Sequence, residues 1–91
     1  MDNSRVVKVY PNPVNEVLHV EVAPSLKPWL TKEAIIVEII NSLGQVVCRN
    51  HIIPQNGRFH KEIDLGGVAN GVYIIKVSGE GVRYIQRFVK E

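Results

Sequence analysis

Three histidines, His19, His51 and His60, are the side chains of this sequence best suited to hold a metal or move a proton. They lie 32 and 9 residues apart, which matches no zinc-ligand motif, and the alternation around them places each on the solvent face of a different strand. Spacing therefore predicts three exposed strand histidines and no metal site. Asp64 and His60, with Ser4, Ser25, Ser42 or Ser78, supply the residue types of a hydrolytic triad, but none of these serines has the local signature of a nucleophile elbow. Cys48 shares its predicted face with Val46 and Ile52, so it reads as a buried apolar group rather than a nucleophile. As the single cysteine it also excludes an internal disulfide. Gly66-Gly67 and Gly79-x-Gly81 lead into strands, whereas a phosphate-binding loop leads into a helix N-terminus. No catalytic residue, no cofactor and no metal is expected, and the chain reads as a non-enzyme.

Strands must position whatever these side chains do. Apolar residues recur at period two between clusters of Gly, Pro and Asn, the strand signal rather than the helical one. Seven runs result: Arg5 to Tyr10, Glu16 to Val22, Lys32 to Asn41, Gln45 to Ile53, Arg58 to Leu65, Val72 to Ser78 and Val82 to Lys90. In the second, Leu18, Val20 and Val22 oppose Val17, His19 and Glu21, one buried face against one wet face. The third is apolar on nearly both faces and is expected to be central. Pro11-Asn12-Pro13 stops the first run, because proline removes a ladder donor and Asn12 can bond its neighbouring backbone. Gly44 and Gly71 offer turns a positive φ, and Asn56-Gly57 is a hairpin signal. Tyr73 follows a long corner, where the tyrosine of a β-sandwich packs its ring inside and returns its hydroxyl to the backbone. Pro24 to Thr31, with Leu26, Trp29 and Leu30, reads as a loop. The predicted fold is all-β, a seven-stranded antiparallel immunoglobulin-like β-sandwich, with an open barrel as the alternative.

Composition narrows the partners. With 11 basic and 9 acidic residues scattered over 91, the net charge of +2 gives no footprint for nucleic acid. The six aromatic residues share no face with interleaved cations, which argues against a stacking platform. The longest apolar stretch, Ala34 to Cys48, is broken by Glu38, Asn41-Ser42 and Gly44-Gln45, so no membrane-spanning helix is expected.

Four segments, in this order, resemble one family, the type A C-terminal sorting domain of the type IX secretion system. They are Val9-Tyr10-Pro11-Asn12-Pro13-Val14-Asn15-Glu16-Val17-Leu18, the strand-turn-strand from Val37 to Val47 with Gly44, the corner from Ile63 to Val77 with Gly71-Val72-Tyr73, and the ending Gln86-Arg87-Phe88-Val89-Lys90-Glu91. Arg87 stands where a lysine is usual, and Pro24 to Thr31 is longer and more apolar than the usual connection. The resemblance makes residues 1–5 an N-terminal tail and 6–91 the sorting domain. It implies a larger N-terminal cargo that crosses to the periplasm and docks on the type IX translocon. The cargo is then freed by a sortase-like surface protease, to remain at the cell surface or be secreted. It also implies that Arg87, Phe88, Val89 and Lys90 are read by the translocon, while Pro11, Asn12, Pro13, Gly44, Gly71 and Tyr73 serve the fold. An unpaired terminal strand is open to strand addition by a partner, or to a homodimer through the same edge. The alternative function is an adhesive or glycan-binding sandwich module, for which Trp29 is the contact residue to test.

Overall fold

The computed structural model describes residues 5–24, 34–54, 58–79 and 82–91, and within them every regular element is a strand. In chain order these are β1 (Arg5–Tyr10), β2 (Val17–Pro24), β3 (Ile35–Ile40), β4 (Val46–Ile52), β5 (Phe59–Asp64), β6 (Gly71–Gly79) and β7 (Val82–Lys90). They form two antiparallel sheets, β1-β2-β5 and β4-β3-β6-β7. Two separate sheets make a sandwich and exclude the barrel. The division matches an immunoglobulin-like sandwich, in which consecutive strands cross between layers.

The core follows from period two. Leu18, Val20 and Val22 of β2 and Ile63 of β5 face Ile35, Val37 and Ile39 of β3, with Ile75 and Val77 of β6 and Phe88 of β7 closing the same layer. β3 lies inside its sheet between β4 and β6, as its two apolar faces required. Its inward residues are fully buried and its outward ones half-buried. Asn41 ends β3 by holding the following turn: its side-chain oxygen accepts from the amides of Leu43 and Gln45, each at 2.9 Å. Gly44 completes that turn at φ +85°, a conformation that a Cβ makes costly.

One alternation departs from expectation. Ile39 pairs with Cys48 but Ile40 pairs with Val46, so a bulge leaves Val47 as an extra residue. The one-residue slip separates Val46 from the face of Cys48 and leaves Val46 and Val47 both exposed. Cys48 and Ile52 remain half-buried against the core. The Trp29 loop and the Asn56-Gly57 hairpin lie outside the described residues.

Candidate functional site

The C-terminal end of β7 is held by the Pro-Asn-Pro turn. Val14 is fully buried, donates its N–H to the carbonyl of Val89 at 2.8 Å and accepts from the amide of Glu91 at 2.9 Å. These two bonds form a parallel bridge between Val14 and Lys90. Asn12 adds a third contact. Its side-chain oxygen takes the N–H of Val89 at 3.0 Å, a bond across 77 residues rather than the local one expected from its type. Tyr10–Pro11 and Asn12–Pro13 are both cis. The turn thus clasps the last residues of the chain, which stand at the edge of the four-stranded sheet.

A second device holds the same strand from the other side. Asp64 accepts from the amide of Gly66 at 2.8 Å, and the corner that follows brings Tyr73 inward, where its hydroxyl donates to the carbonyl of Ala69 at 2.5 Å. The Tyr73 ring stacks on that of Phe88, with centroids 5.8 Å apart and planes at 24°. Gly71 begins β6 at φ +153°. Tyr73→Phe keeps the ring and removes only the hydroxyl. Because Ala69 is exposed and its carbonyl can turn to water, the cost is expected to be about 1 kcal/mol, read as a lower urea midpoint at unchanged slope.

A Pro-Asn-Pro turn, a glycine turn after the central strand, a tyrosine corner and a basic-apolar last strand therefore occupy one continuous structure. Residues 8–91 match the family model described as the secretion system C-terminal sorting domain. The chain belongs to this family. Among curated proteins, none matches the sequence. Members of the family are non-catalytic sorting signals of type IX secretion, joined to a larger cargo that is exported to the cell surface or secreted.

Within the sorting domain, the four residues Arg87, Phe88, Val89 and Lys90 divide by face. Arg87 is exposed and Val89 half-buried on the outer side, whereas Phe88 lies in the core and Lys90 is only 6% exposed. The Lys90 ammonium reaches Asn70 Oδ1 and the Glu91 carbonyl, both at 3.2 Å, tying β7 to the corner. Alternation explains the split: a residue two places from a core phenylalanine must point the same way. Arg87 has neighbours that sequence reasoning missed. It stands opposite the exposed Ile74, and Ile85, at 62% exposure, stands opposite Lys76. These residues form an apolar and basic strip on the outer face of β6 and β7. On the same side of its sheet, the largely covered Glu38 pairs with the exposed Arg49 at 2.6 Å.

The opposite sheet brings together what spacing had separated. His19 of β2 stands between Tyr10 of β1 and Glu62 of β5, while the next row carries Lys8, Glu21 and His60. His19 Nδ1 lies 3.0 Å from His60 Nε2 and 3.8 Å from Glu62 Oε2. His51 is on β4 of the other sheet and takes no part. Tyr10 donates its hydroxyl to Glu21, and that hydrogen bond, reinforced by the charges of Glu21 and Glu62, holds the phenol above its ordinary 10.0. Period two correctly puts both histidines on the outer face of their sheet, His60 exposed but His19 half-buried, and only the pairing of β2 with β5, 41 residues apart at this point, makes them neighbours.

Proposed function

We propose that the type IX machinery reads this domain along the free edge of β7. The observation that carries the reading is the partial occupancy of that edge. Val89 turns its N–H and C=O toward Asn12 and Val14, and at period two the same groups of Arg87, Ile85 and Arg83 face outward. No described strand pairs with β7 on that side between Val82 and Arg87. The free run measures roughly 20 Å, enough for a partner strand of ordinary length. Main-chain bonds along it supply affinity, and the exposed Arg87, Ile85 and Arg83 supply side-chain specificity. Phe88 and Lys90 take part by fixing the strand rather than by touching the reader.

In this reading the domain, residues 6–91, travels with its cargo through the periplasm, docks on the translocon and is removed by a sortase-like protease at the surface. The test is an exported fluorescent reporter fused to this domain in a bacterium with the system. The native fusion is expected at the surface. The double variant Ile85→Glu, Arg87→Glu is expected to remain in the periplasm with an unchanged melting temperature, since both side chains are exposed. Surface arrival of the double variant at native levels would refute edge reading, and periplasmic retention of the native fusion would refute docking itself.

A further inference from the structure

We propose that His19, His60 and Glu62 form a binding site for a borderline divalent transition metal, with zinc as the reference ion. The site is independent of the edge reading and lies on the other sheet. One ligand atom from each residue falls within a sphere where all lie within 4.8 Å of one another. Tetrahedral zinc, with bonds of about 2.0–2.1 Å, holds its ligand atoms about 3.3 Å apart. The observed separations from His19 Nδ1, 3.0 Å to His60 and 3.8 Å to Glu62, bracket that value, so small rotamer changes would complete the set.

Several features favour a metal over a plain histidine pair. Two imidazole nitrogens face each other, and each can lend a lone pair to the same cation once it is unprotonated. The His19 ring is braced from behind by Tyr10, stacked at 5.1 Å and 10°, which reduces the rotamer freedom lost on binding. Tyr10 also engages Glu21, so the carboxylate nearest in the second row is directed to the phenol and Glu62 is the acidic ligand. His60 and Glu62 are exposed and His19 half-buried, so the ligand atoms lie at the surface, where solvent water can take the fourth position. Two imidazoles with one carboxylate select zinc, copper or nickel over calcium or magnesium, which prefer oxygen ligands alone. A bound ion would staple β2 to β5 in a domain that has one cysteine and no disulfide.

Titration calorimetry of the untagged, chelator-treated chain with zinc chloride tests this directly. Expected is one ion per chain, a dissociation constant in the micromolar range and a rise in melting temperature with added zinc. His19→Ala and His60→Ala are each expected to weaken binding at least about tenfold. His51→Ala, the remaining histidine, is expected to leave affinity unchanged. All three side chains are at least partly solvent-exposed, and circular dichroism checks that each variant keeps its strands. If an alanine variant fails that check, the glutamine variant replaces it. Absence of saturable binding would overturn the proposal. So would binding that survives either His19→Ala or His60→Ala, or that is lost in His51→Ala.

Discussion

Replacing Phe88 with alanine is expected to cost about 3–5 kcal/mol, the usual range for emptying a core aromatic site. The residue is 1% exposed, stacks on Tyr73, and belongs to the strand that closes the hydrophobic layer. A 91-residue domain has a total stability of about 5–14 kcal/mol, so this single truncation removes a large part of it. At about 4–8 °C per kcal/mol, the fall in Tm is tens of degrees, readable by thermal denaturation. Phe88→Leu should recover part of the loss by refilling the cavity. A fused reporter should lose surface delivery with Phe88→Ala in step with the fall in stability, and with Ile85→Glu, Arg87→Glu while stability is unchanged. Measuring stability beside delivery separates the strand's role in the fold from its role in being read.

The second large effect is expected at the clasp. Val14→Ala removes two methyl groups from a fully buried site and should cost about 1–3 kcal/mol. Val14→Asp places an unpartnered carboxylate there and should cost at least about 3–5 kcal/mol near neutral pH. Burial raises the folded pKa of that carboxyl above its unfolded value near 3.9, so the folded state prefers the protonated form. The deficit is therefore smallest below the unfolded pKa. It grows by about 1.4 kcal/mol per pH unit as pH rises, until the carboxyl is ionised in the folded state as well. Urea denaturation of this variant at acidic and neutral pH, against Val14→Ala as the reference, checks both the size and the sign. An equal deficit at both pH values would mean that the turn has swung out to water and that the clasp opens without unfolding the sandwich.

Local chemistry made much of this fold legible. The two apolar faces of β3 announced a central strand, the turn glycine at Gly44 adopts its positive φ, and Tyr73 returns its hydroxyl to the corner. What escaped the sequence depends on long-range pairing. A bulge at Val47 reverses the face of Val46, and period two cannot foresee an inserted residue. Asn12 bonds the far end of the chain because the turn is carried there by β1 and β2, not because of any neighbour in sequence. His19 and His60 meet because β5 joins β2 rather than the strands beside it in the chain. The terminal basic-apolar pattern was visible, but its division into an outer Arg87 and an inner Lys90 depends on which face Phe88 occupies.

On the proposed edge reading, the clasp at Val14 and Asn12 is also an end stop. An incoming strand zipping along β7 from Val82 meets backbone groups already taken at Val89 and must halt at Arg87. An edge open at both ends lets a partner slide by two residues while keeping its side chains on the correct face, giving several near-equal alignments. A closed end removes most of them. The turn thereby converts a generic sticky border into a graduated scale with a fixed zero.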